Sequence, residues 1–186
     1  MIYSNSNKFM FYHIPKTAGT SLHTVLKTYA VGPHVNEPHL TRVRSHVGVE
    51  PTWDKYKGSE YFSFAIVRNP YDRMFSLYNF LKRRRVIKET LEEFIHKMDR
   101  EPSQFKLLNY NGVVPLSFVG KFENLEEDFN FIADKIKIKE RYKDLPKLFK
   151  AVNNGNYKEQ INNELKAIID EKHHDDFINF NYKKEL

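Results

Sequence analysis

The stretch "FYHIPKTAGTSL", residues 11–22, decides how the rest of the chain is read. It begins inside an aromatic and apolar run, 8–14 ("KFMFYHI"), that stops at Pro15 and reads as a buried strand. Beyond it, Leu22, Val25 and Leu26 recur at helical spacing over 19–30, with Thr20 and Ser21 suited to the first turn. Between strand and helix lies "PKTAGTS". It offers consecutive backbone N–H groups from Thr17 to Ser21, a flexible Gly19, side-chain hydroxyls and the Lys16 ammonium. A helix N-terminus carries about half a positive charge and several donors without intrahelical partners. With Lys16 added, the package suits an anion with several oxygens, a phosphate or a sulfate. The competing reading of the loop alone is an ordinary βα turn whose Lys16 faces solvent. It is not a Walker A loop, because Lys16 precedes the single glycine instead of following a second one.

The pattern repeats outward from this stretch. "YFSFAIV" (61–67) is a second buried strand, and Asn69 with Pro70 supplies a cap and a first helical residue for the segment that follows. Met74, Phe75, Tyr78 and Leu81 fall on one face of that helix. Thr90 and Glu93 form a capping box. "LSFVGKF" (116–122) is a third strand leading to a helix capped by Asn124, and the tail from Tyr157 reads as one or two amphipathic helices. Alternating strands and helices predict an α/β fold with a mostly parallel sheet, and ligands in such folds bind at the carboxyl ends of strands. Three candidate segments occupy such ends, after Ile14, Val67 and Phe122.

The 186 residues fit one domain, with a core over about 8–135 and a helical C-terminal part over about 136–186. With 40% hydrophobic and 29% charged residues, the composition is that of a folded domain. Absence of cysteine excludes disulfides, thiolate metal sites and a cysteine nucleophile. The formal charge of +6 favours anionic ligands without choosing among them. The N-terminus shows no signal-peptide pattern and no window is apolar enough to span a membrane, so the expectation is a cytoplasmic protein.

Arg68 sits directly at the end of the second strand, and Ser76 lies eight residues on, two turns into the next helix. Together they can clamp a second phosphate, the Arg through bidentate charge-assisted bonds; an ion pair between Arg68 and Asp72 is the structural alternative. Taken with the first loop, the pattern resembles the sulfotransferase family, whose members transfer sulfate from 3′-phosphoadenosine 5′-phosphosulfate (PAPS). "HIPKTAGTSL" is similar to that family's 5′-phosphosulfate loop, "FAIVRNPYDRMFSLY" to its 3′-phosphate motif, and "FVGKFENLEEDF" to the following strand–helix of its carbohydrate-type branch. The likeness covers 8–80 and 116–130 well and the last third loosely.

The resemblance implies a P-loop-like sulfotransferase fold and a cofactor loop of Pro15, Lys16, Thr17, Ala18, Gly19, Thr20 and Ser21. Lys16 would bond the bridging oxygen and stabilise the leaving phosphate. Arg68 and Ser76 would hold the 3′-phosphate of PAPS and of its product, 3′-phosphoadenosine 5′-phosphate (PAP). No metal is required. The expected acceptor is a hydroxyl, with a carbohydrate as the leading class, and neither nucleic acid nor a membrane span is expected.

Transfer to a hydroxyl calls for a base, and histidine titrates near neutrality without special help. His46, in "RSHVGVEPTW", resembles a histidine of glycan 6-O-sulfotransferases that lies between the cofactor motifs shortly before a Trp, here Trp53. Glu50, His34 and His39 remain alternatives, and His13 reads as a core or hydrogen-bonded group. "HHDD" (173–176) has metal-ligand residue types, but adjacent ligands cannot all converge on one ion. "KRRR" (82–85) is a solvated helix end or a contact for an anionic acceptor or the cofactor. Two other functions stay open at this level: a nucleotide-dependent kinase with an atypical loop, and a basic polyanion-binding module.

Overall fold

A computed structural model describes residues 1–30, 49, 54, 58, 60–97, 101–146 and 156–186. The chain is a mixed α/β protein and divides into two compact units, each built from two segments. The first comprises Met1–Val67 and Leu107–Leu148, the second Arg68–Lys106 and Phe149–Leu186. The C-terminal segment therefore packs with the middle of the chain, which contact along the sequence does not reveal.

The first unit carries a four-stranded sheet in the order β1 (Ile2–Ser4), β2 (Phe9–Tyr12), β3 (Phe62–Val67), β4 (Phe118–Lys121). β2, β3 and β4 are parallel, as expected. β1, which the sequence reading did not anticipate, adds an antiparallel edge, with Ile2 opposite Phe11 and Ser4 opposite Phe9. Three residues are too few to show a period. The parallel strands end at one edge of the sheet, with Tyr12 opposite Ala65 and Val67 opposite Lys121.

β2 is buried on both faces along its length, as a run of apolar residues in a parallel sheet requires. Phe9 and Phe11 pack on Phe64, with ring centroids 6.2 and 5.2 Å away. Leu22 and Leu26 of α1 (Gly19–Leu26) close over this layer, and so do Phe129 and Ile132 of the later helix Leu125–Lys135. Each fully buried side chain of this size contributes roughly 1.5–3 kcal/mol.

The second unit is helical. In chain order come α2 (Pro70–Arg83), α3 (Leu91–His96) and α4 (Gln104–Leu108), whose last two residues belong to the first unit. The first unit's Leu125–Lys135 is α5, and the tail forms α6 (Tyr157–Gln160), α7 (Asn163–Lys172) and α8 (His174–Asn179). α2 and α3 start as expected: Asn69 accepts from the Tyr71 and Asp72 N–H groups ahead of Pro70, and Thr90 and Glu93 form a reciprocal capping box. Their apolar faces meet around Tyr71, Met74, Phe94, Leu165, Ile169 and Phe177.

α5 departs from expectation at its start. A short 3-10 turn, Phe122–Asn124, precedes it, and the Asn124 side chain caps nothing. Glu126, Glu127 and Asp128 instead place negative charge in the first turn, and Asp128 accepts from the Lys121 N–H at 2.5 Å. The tail forms three short helices where one or two were expected. No helix of the described residues is long and apolar enough to cross a membrane.

Candidate functional site

In the first unit, the segment after β2 folds into a tight loop with two residues in the left-handed region, Lys16 (φ 70°) and Ala18 (φ 64°, ψ 7°). Left-handed backbone costs an L-residue about 1–2 kcal/mol. Neither residue is a glycine, so the surrounding structure must hold the loop in this form. Thr17, between them, is fully buried and its hydroxyl donates to the Ile14 carbonyl at 2.9 Å. That bond staples the loop to the strand end and commits the Thr17 hydroxyl to the loop itself.

Ala18 is also the N-cap of α1. It offers no side-chain cap, and the first turn of α1 holds no acid. The Ala18 carbonyl accepts from the Ser21 and Leu22 N–H groups, at 2.9 and 3.2 Å. This removes Ser21 N–H from the expected row of donors and leaves Ala18, Gly19 and Thr20 as the N–H groups for which a helix has no internal acceptor. A helix start with no side-chain cap and no acid in its first turn, entered through left-handed residues, has the electropositive character that suits an anion. Lys16 and Ser21 are partly exposed and Thr20 is exposed.

Gly19 is required for a reason the sequence did not show. A Cβ on Gly19 would lie 1.9 Å from His13 Cδ2 and 2.1 Å from its Nε2. The half-buried imidazole stacks on Phe11, at 5.9 Å and 15° between planes, and lies against the start of α1. Gly19→Ala is expected to force the ring out, at about the 1–3 kcal/mol that overpacking costs. In a His13→Ala background the same substitution should cost much less. Thermal denaturation of the four proteins of this cycle measures the coupling; equal costs in both backgrounds would remove His13 as the reason for the glycine.

In the second unit, Arg68 follows the last residue of β3. Its Nε and Nη2 both contact Asp72 Oδ2, at 2.8 and 2.7 Å, and the side chain is 11% exposed. The ion pair weighed from the sequence is therefore present. It fixes the direction of a guanidinium that has five donors in all. Ser76, partly exposed, lies at the seventh position of α2.

The backbone of Arg68 is held by Gln104, which the sequence reading missed. Arg68 N–H donates to Gln104 Oε1 and Gln104 Nε2 donates to the Arg68 carbonyl, both at 2.8 Å. Asp176 accepts from Gln104 Nε2 (3.2 Å), Gln104 N–H (3.0 Å) and Phe105 N–H (2.7 Å), and so caps α4. Gln104 and Asp176 are fully buried. Burial alone would raise the Asp176 carboxyl, yet His173, the Arg73 charge and the two N–H donors together hold it below its ordinary value. The buried Arg73 guanidinium, lowered chiefly by burial, also donates to the Pro102 carbonyl. "HHDD" is thus divided: Asp176 anchors α4, His173 is buried with Nδ1 3.6 Å from Asp176, and His174 Nδ1 lies 3.2 Å from Lys184 Nζ.

Among the described residues, Pro15–Ser21 belong to the first unit and Arg68 and Ser76 to the second. His46, His34, His39, Glu50 and Trp53 lie outside the described residues. The neighbouring Val49 and Asp54 are fixed in the first unit: Val49 N–H donates to the Leu107 carbonyl at 2.9 Å, and Tyr110 donates to Asp54. In the KRRR run, Lys82 donates to the Lys88 and Glu89 carbonyls, both at 2.8 Å, and the Arg84 guanidinium lies 4.8 Å from the Phe80 ring centroid.

Compared with known proteins, residues 1–183 match the model of a family described as the sulfotransferase family. No curated protein and no solved structure matches the chain.

Proposed function

Because the chain belongs to the sulfotransferase family and is thereby a transferase of sulfuryl groups, we propose that its donor is PAPS and its acceptor a hydroxyl, with a carbohydrate as the leading class. The observation that carries the donor assignment is the loop Lys16–Ser21. It holds two residues in the left-handed region and leaves α1 with no side-chain cap and no acid in its first turn. That arrangement is explained by an anion with several oxygens.

When bound, PAPS supplies the sulfuryl group and departs as PAP. In this reading the N–H groups of Ala18, Gly19 and Thr20, with the hydroxyls of Thr20 and Ser21, hold the 5′ end, and Pro15 and Thr17 shape the loop. Lys16 would donate to the 5′ phosphosulfate end and stabilise the negative charge left on the phosphate once the sulfuryl group is transferred. Arg68, oriented by Asp72, and Ser76 hold the 3′-phosphate. His46 would take the proton of the acceptor hydroxyl. None of these roles calls on a metal ion. Residues 1–186 act as one sulfotransferase domain, placed in the cytoplasm.

Calorimetric titration with PAP, AMP and ATP, without added metal, tests the donor. Tight PAP binding beside weak AMP and ATP binding is expected, since AMP lacks the 3′-phosphate. Preference for ATP with Mg²⁺ would replace this reading with a kinase. Salt-dependent polyanion binding with no PAP binding would replace it with a binding module.

A further inference from the structure

We propose that Gln104 is a positioning residue that sets selectivity for the 3′-phosphate, acting through the backbone of Arg68; this rests on the reading of Arg68 as a 3′-phosphate ligand. The Arg68 peptide lies one residue beyond the last strand residue, Val67, where the ladder between β3 and β4 has ended. There a side chain, that of Gln104, supplies both backbone partners. Its carboxamide accepts from Arg68 N–H and donates to the Arg68 carbonyl, both at 2.8 Å, as a peptide of a neighbouring strand would.

The orientation of that amide is set by chemistry. Arg68 N–H requires an acceptor, and the ionised Asp176 requires a donor. One of the two amide orientations satisfies both: Oε1 toward Arg68 N–H, with Nε2 between the Arg68 carbonyl and Asp176 Oδ2. In the flipped form a carbonyl would face a carboxylate and an NH₂ would face an N–H, both without solvent to relieve them. Gln104 is thus locked, and it locks the Cα from which Arg68 extends. Asp72 fixes the other end by holding Nε and Nη2. A flexible arginine side chain acquires a defined reach through these two anchors, one on its backbone and one on its guanidinium. A bidentate contact to a phosphate depends on such a reach, because small misplacements of a positioning group cost large factors.

The test compares PAP and AMP affinities of the full chain by calorimetry, well below each protein's unfolding temperature. The proteins are wild type, Arg68→Ala and Gln104→Met, the last similar in volume but unable to donate or accept strongly. Wild type is expected to prefer PAP, and Arg68→Ala to lose that preference. Gln104→Met should reduce the PAP:AMP affinity ratio on the order of tenfold to a hundredfold, with AMP affinity nearly unchanged. Should Gln104→Met fail to fold, Gln104→Asn keeps the polar group while withdrawing it by one methylene, and the same fall in the ratio is expected. An unchanged ratio, or equal losses for both ligands, overturns the proposal and leaves Gln104 a stabilising residue. A wild type without PAP preference overturns the 3′-phosphate reading itself, and the Gln104 proposal with it. Arg68→Ala losing PAP and AMP equally would have the same consequence.

Discussion

Lys16→Ala is expected to lower kcat for sulfuryl transfer at least roughly 10²–10³-fold, the loss seen when one charge-stabilising donor is removed from an active site. The loop around Lys16 is held by other groups as well: the Thr17 hydroxyl on the Ile14 carbonyl, and the Ala18 carbonyl receiving the Ser21 and Leu22 N–H groups. Alanine meets the positive φ at position 16 at about the same cost as lysine, since both carry a Cβ. The fold should therefore survive, and the loss should appear in turnover with far less change in PAP binding, which the backbone donors sustain. Single-turnover kinetics with PAPS and a responsive acceptor, alongside a thermal melt, measure both. Near-normal turnover would remove Lys16 from the transition state; a large fall in melting temperature would show that it shapes the loop.

Asp176→Ala should have the largest effect on stability, about 3–5 kcal/mol, the range for breaking a buried charge pair from one side. It strips the cap from α4, unties Gln104, and removes a counter-charge from the buried Arg73. For a chain of this length that is on the order of 10 °C in melting temperature. The pH dependence has a definite sign. Because the folded carboxyl of Asp176 lies below its ordinary value, the unfolded chain binds more protons in the interval between the two. Its stabilisation is complete above the ordinary aspartate value, about 3.9, and is lost as pH falls through the lower folded value.

Glu101 has the opposite sense. Burial raises it despite Arg73 and His173, so its contribution falls as pH rises through its folded value. It is present in both proteins, however, and cancels to first order in the comparison. The difference in stability between wild type and Asp176→Ala, followed from neutral pH into the acid range, should therefore shrink only below about pH 4. A difference that stayed constant there would mean that Asp176 holds α4 by packing and not by charge.

The strand–loop–helix of 11–22, the Asn69–Pro70 start of α2 and the Thr90–Glu93 box were legible because each is written in contiguous residues. Strand burial, loop chemistry and helix caps all follow from neighbours within about four positions. The same locality made Lys16 and Arg68 visible, since each stands at the end of an apolar run. Other features could be settled only by folding. β1 exists because Ile2–Ser4 finds β2 to pair with, and three residues alone carry no signal. Gly19 is demanded by a ring six positions earlier, which only the turn at Pro15 brings back. Gln104 had no local mark, and Asp176 stood out only as part of the HHDD run, with nothing to name its partners: the two are 72 positions apart, and Gln104 is 36 from Arg68. Their hydrogen bonds become worth making only where burial excludes water, and burial belongs to the tertiary structure. The sequence by itself thus determined the strands, caps and helix starts between which an anion site is proposed. The folded chain decided which of their hydroxyls, amides and backbone atoms are already committed, because hydrogen-bond partners are set by proximity in space and not by order along the chain.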